Sequence, residues 1–124
     1  MMKMMNKICF EDLFDKQIDF QKMVIEKKGY KEFPAGSKVN LPVDDINLAS
    51  YHIQALMSEI GEILSADKRW KNYRIDNINM ENKKEEIADC FIVLMNVAIF
   101  SGFSGKEIAE TILSKMEENV GRIA

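Results

Sequence analysis

A chain of 124 residues, 47% apolar and 30% charged, is long enough to bury a core as one domain and too apolar to be disordered. Its net charge of −3 lacks the positive field that polymeric nucleic acid requires, although a metal or a local basic cluster can still seat a small anion. The two cysteines, Cys9 and Cys90, lie far apart beside apolar neighbours, which suits free thiols in a reducing compartment better than a disulfide framework.

The opening "MMKMMNKICF" has neither the apolar run nor the cleavage site of a signal peptide. No window approaches the roughly 18 apolar residues of a membrane span. The expectation is a cytoplasmic chain with no membrane partner, organised as a single all-α domain over residues 1–124.

The first helix is predicted from Phe10 to Lys28, stopped by Gly29. Phe10, Leu13, Phe14, Phe20, Val24 and Ile25 share one sector, with Gln17 near its centre and Gln21 alongside. A glutamine there must satisfy a donor and an acceptor. A bond to nearby backbone would do so. So would the adjacent N–H and C=O of a pyrimidine such as uracil.

"GYKEFPAGSKVNLPV" holds both prolines and two of the six glycines, and reads as a connection. The second helix follows Pro42, capped by Asp44 or Asp45, and runs to about Lys71. Ile53, Leu56, Met57, Ile60, Ile63 and Leu64 form its apolar stripe. Glu59 and Glu62 lie on a neighbouring face with Ala55 and Ala66, whose small side chains admit another helix.

The third helix is predicted to begin near Asn82, where "NKKE" fits a capping box with Glu85, and to end at Gly102. In "IADCFIVLMNVAIF" the apolar groups surround the axis, which predicts burial on most sides. Glu86 and Asp89 nevertheless head one of its stripes. The helix dipole accounts for acids in the first turn only. An unpaired carboxylate further in would be costly or would protonate, so a cation is expected.

The two i,i+3 acid pairs, Glu59 with Glu62 and Glu86 with Asp89, each project two carboxylates to one side. Antiparallel packing would gather four oxygen ligands, a set suited to Mg²⁺ or Mn²⁺. A di-iron bundle would need a Glu-x-x-His on two helices, and the lone His52 suits a surface or supporting place better than a ligand's.

The fourth helix opens with a capping box from Ser104 to Glu107 and carries Lys115, Asn119 and Arg122 on one face. That face is either a solvated edge or a partner for phosphate oxygens. Trp70, flanked by Lys68, Lys71 and Arg74, is either a core aromatic near a helix end or a ring on which a base stacks. The architecture is a four-helix bundle core with no strand.

"SEIGEIL", "EEIAD" and "KMEENVGR", in that order, resemble the all-α nucleoside triphosphate pyrophosphohydrolases, which include MazG-type enzymes and dimeric dUTPases. "LFDKQIDFQKMVIEKKGY" and "DKRWK" are similar to the dimeric dUTPase branch, with Asp67 where that branch carries phenylalanine and a chain shorter than its typical member. The resemblance implies Mg²⁺ on Glu59, Glu62, Glu86 and Asp89, with Glu59 or Glu62 handling the attacking water. It implies triphosphate contacts from Lys115 and Asn119, with Arg122 closing the motif, and base or phosphate contacts from Gln17, Lys68 and Trp70. The implied reaction cleaves between the α- and β-phosphates, dUTP to dUMP and pyrophosphate being the first expectation. A MazG-like pyrophosphatase of other nucleotides and a non-catalytic helical binding module are the alternatives. A bundle this compact would be completed by homo-oligomerisation, as a homodimer or homotetramer.

Overall fold

The computed structural model describes residues 7–28, 46–67 and 79–124. Among them are four helices and no β-strand: α1 (Phe10–Lys28), α2 (Ile46–Ala66), α3 (Met80–Phe100) and α4 (Gly105–Ile123). The fold is all-α, as expected. The Gly29 stop, the Asp44 or Asp45 cap, and Lys68, Trp70, Lys71 and Arg74 lie outside the described residues. No single helix among those described is long and apolar enough to cross a membrane.

Local chemistry sets the ends of these helices. α3 starts one turn earlier than the sequence suggested, because Asn79 and not Asn82 is its cap. The Asn82 N–H donates to Asn79 Oδ1 at 2.9 Å, and the Lys83 N–H donates to the Asn79 carbonyl at 2.9 Å. Asparagine is equally suited to either position, and the earlier cap gains a turn of helix with Glu81 beside its positive end.

At its far end Gly102 adopts φ 92°, the left-handed conformation that glycine enters without a Cβ penalty. The Gly102 N–H then reaches the Ile99 carbonyl at 3.0 Å and the Phe103 N–H reaches Ala98 at 3.1 Å. This pair of bonds closes α3 as a Schellman motif. Two residues on, the capping box of α4 is present in both directions. The Glu107 N–H donates to Ser104 Oγ at 3.1 Å, and the Ser104 N–H donates to Glu107 Oε1 at 2.9 Å.

The chain divides into two compact units, Met1–Asp45 with Ala98–Ala124, and Ile46–Val97. In the first, α1 packs with α4. Phe14 and Ile99 are fully enclosed, and Ile18 and Phe100 are buried. Gly105 permits the close approach, since a Cβ there would stand 3.0 Å from both Cβ and Cγ of Phe14. Leu13 and Phe20, expected on the inner face of α1, are exposed.

In the second unit, the end of α2 meets the start of α3 through Ala66 with Asn79 and Asp67 with Lys83, and Glu59 lies beside Glu86 and Asp89, so the two helices run antiparallel. The surface of α2 that meets α3 is the one carrying Glu59 and the buried Ala66. Ile53, Met57, Ile60 and Leu64 of the expected core stripe are exposed, and so are Phe91, Ile92 and Leu94 of α3. Burial of α3 on most sides is therefore not met within the described residues. A helix apolar all round needs cover on every side, and one neighbouring helix covers only part of it.

Candidate active site

Two helical turns build the site, each presenting acids at i and i+3. Glu59 from α2 and Glu86 and Asp89 from α3 each place a carboxylate oxygen within 4.8 Å of the other two. Glu59 and Glu86 are half-buried, and Asp89 is exposed. Glu62, one turn along α2, is exposed and falls outside this set of three.

Glu62 still belongs to the same electrostatic neighbourhood. The Glu86 carboxyl is pushed above its ordinary pKa, first by loss of water and then by the charges of Glu62, Asp89, Glu59 and Glu85, in that order. Four acids thus act on Glu86, and they favour its neutral form unless a cation intervenes.

Cys90, next along α3, feels the same field. Burial raises its thiol pKa first, followed by the charges of Glu59, Asp89 and Glu86. It is a protonated thiol beside the acids and has none of the surroundings of an activated cysteine. Its place directly after Asp89 was the available sequence signal.

The donor set fits a hard divalent cation. Cis ligands of an octahedral Mg²⁺ stand about 3 Å apart and trans ligands about 4.2 Å. Oxygens already within 4.8 Å need only side-chain adjustment to meet that geometry. Glu59, Glu86 and Asp89 are the residues able to hold such an ion, with Glu62 beside them.

His52 lies outside the metal-competent group, and of the two places expected for it, surface or supporting, its burial removes the surface one. It is 8% exposed, set edge-on to the Tyr51 ring with centroids 5.1 Å apart. Burial lowers its pKa, which keeps the imidazole neutral near pH 7. Nothing in its sequence neighbourhood signals this burial.

The remaining candidates are described within the other unit. Gln17 is half-buried on α1, while Gln21 is the more enclosed amide. On α4, Lys115 Nζ lies 2.8 Å from Glu118 Oε1. Arg122 Nη1 donates to Asn119 Oδ1 at 3.0 Å, and Arg122 Nη2 is 3.5 Å from the same Glu118 oxygen. Lys115, Asn119 and Arg122 therefore share an exposed face, with Glu118 as common counter-ion. Exposed pairs of this kind contribute little and are readily exchanged for another anion.

Two helices that bring three carboxylates together define an all-α protein whose clustered acids could hold a hard cation. A family model described as dUTPase matches residues 9–123. The chain belongs to that family, and it is a nucleotide diphosphohydrolase. No curated protein and no solved structure matches it significantly.

Proposed function

We propose that this protein hydrolyses dUTP to dUMP and pyrophosphate in a Mg²⁺-dependent reaction, with Mn²⁺ as a substitute ion. The observation that carries the reading is the convergence of Glu59, Glu86 and Asp89 within 4.8 Å, in a chain of the dUTPase family. A bound divalent ion would neutralise triphosphate charge and lower the pKa of a water molecule.

The chain's own residues divide the remaining work. Glu59, Glu86 and Asp89 hold the ion. Glu62, exposed at the edge of the set, orients the attacking water and takes its proton. Glu59 is the alternative for that task. Lys115 and Asn119, and Arg122 with them, bind phosphate oxygens on the strength of the motif they share with the family, exchanging Glu118 for the incoming anion. Gln17 reads the uracil edge through its amide, and Lys68 and Trp70 contact phosphate and base.

We further propose that a second copy covers the apolar stripes that α2 and α3 expose. Ile53, Met57, Ile60 and Leu64 recur at i, i+4, i+7 and i+11, with Phe91 and Leu94 on the neighbouring helix. That is the spacing of a seam between helices. A homodimer or homotetramer of one-domain chains follows, and its free cysteines suit the reducing cytoplasm.

The test is to incubate purified protein and Mg²⁺ with a panel of ribo- and deoxynucleoside triphosphates and to measure pyrophosphate. Highest kcat/KM for dUTP is expected. Preference for another base would favour a broader, MazG-like cleansing role, and release of orthophosphate would refute the assigned bond.

A further inference from the structure

The carboxylates of α2 and α3 meet although they repel, so some other contact must hold the two helices in register. Lys83 Nζ lies 2.6 Å from Asp67 Oδ2, and joins the residue after α2 to the first turn of α3. Their side chains are only 23% and 17% exposed. The described pairs Lys84–Glu81, Lys115–Glu118 and Arg122–Glu118 each sit within one helix and are more than half exposed. Beside the Asp67–Lys83 pair, the Asn79 N–H reaches the Ala66 carbonyl at 3.5 Å. A partly buried pair is less screened than an exposed one and costs more to break on one side.

The pair lies close to the acids along both helices. At about 1.5 Å of rise per residue, Glu62 and Glu59 stand about 7.5 and 12 Å back along α2 from Asp67. Glu86 and Asp89 stand about 4.5 and 9 Å forward along α3 from Lys83. A slip of one helix past the other at this tie would move Glu59 away from its partners by the same amount.

We propose that Asp67 and Lys83 are positioning residues, whose ion pair fixes the register of α3 against α2 and keeps Glu59 in reach of Glu86 and Asp89 for a divalent ion. The inference rests on the metal-binding reading of those acids. It differs from a simple charge effect in sign. As a bare cation one turn from Glu86, Lys83 opposes a metal ion, so removing it should tighten binding. As a register pin, removing it should weaken binding.

The test is titration of Mn²⁺ alone into the full chain by calorimetry, with no nucleotide, for wild type, Lys83→Met, Lys83→Arg and the charge-swapped double variant Asp67→Lys/Lys83→Asp. Expected is about a tenfold loss of affinity in Lys83→Met, the low end of the effect of residues that orient metal ligands. Lys83→Arg should retain affinity, and the swap should recover most of it. Should Lys83→Met fail to fold by circular dichroism, Lys83→Gln carries the same sign test. Unchanged or tighter Mn²⁺ binding in folded Lys83→Met or Lys83→Gln overturns the inference alone. Failure of the wild type to bind Mn²⁺ overturns the metal reading and this inference together.

Discussion

Glu86→Gln should separate the two sides of the acidic site, because it removes a ligand and a source of repulsion at once. In the protein without metal, the Glu86 pKa is raised by loss of water and by the charges of Glu62, Asp89, Glu59 and Glu85. A group whose folded pKa exceeds its unfolded value binds its proton more tightly in the folded state. Its contribution to stability is present below the ordinary glutamate pKa and is lost as pH rises through the raised value. Wild-type protein should therefore lose stability across that window, and Glu86→Gln should flatten the loss. At neutral pH the metal-free variant should melt at or above the wild type.

With Mg²⁺ the order reverses. An ion present at a hundredfold excess over its dissociation constant stabilises the folded state by about 2.7 kcal/mol, on the order of 10 °C in a chain of this size. If loss of one of three converging oxygens weakens binding about thirtyfold, the same Mg²⁺ leaves about 0.9 kcal/mol, or roughly 3 °C. The assay is thermal melting by circular dichroism near pH 5 and near pH 7.5, with and without saturating Mg²⁺. Equal Mg²⁺ stabilisation of variant and wild type would refute the reasoning, as would a metal-free variant that melts well below wild type at neutral pH.

Glu62→Gln should lower kcat by about two orders of magnitude or more, the usual contribution of a positioned base, with melting temperature preserved. Near-normal turnover would return the proton-transfer role to Glu59. Gln17→Ala should abolish the preference for uracil while general hydrolysis persists, read from kcat/KM across the nucleotide panel; an unchanged ranking of bases would make that amide structural. Phe14→Ala empties a fully enclosed site against Gly105 and should cost about 3–5 kcal/mol in urea unfolding. A loss below about 1 kcal/mol would mean that this is not the core of its unit.

Much of the fold was legible in the sequence because the decisive signals are local. The Ser104–Glu107 capping box and the glycine after α3 are each set by a few adjacent residues, and both occur as read. Three of the four expected acids, Glu59, Glu86 and Asp89, come together, because i and i+3 fix a shared face without tertiary information, while Glu62 stands outside that set. The start of α3 was misread because Asn79 and Asn82 are both good caps, and only the extra turn decides between them.

Nonlocal features were less legible. The face of Glu59 and Ala66, read as admitting another helix, does meet α3, but most of the apolar stripe of α2 is exposed. Periodicity identifies a sticky face without saying what covers it. The Asp67–Lys83 pair joins residues 16 apart, with Asp67 at a position that reads only as a departure from a phenylalanine. The burial of His52 likewise depends on neighbours that no spacing rule reaches.

The convergence of acids on a divalent ion is most directly tested in a crystal soaked in Mn²⁺, using anomalous scattering to locate the metal. The expected result is a peak bounded by the carboxylates of Glu59, Glu86 and Asp89, with oxygens about 2.1–2.2 Å away, close to Mg²⁺ distances. Side chains turned apart toward solvent, with no anomalous peak between them at saturating Mn²⁺, would contradict it.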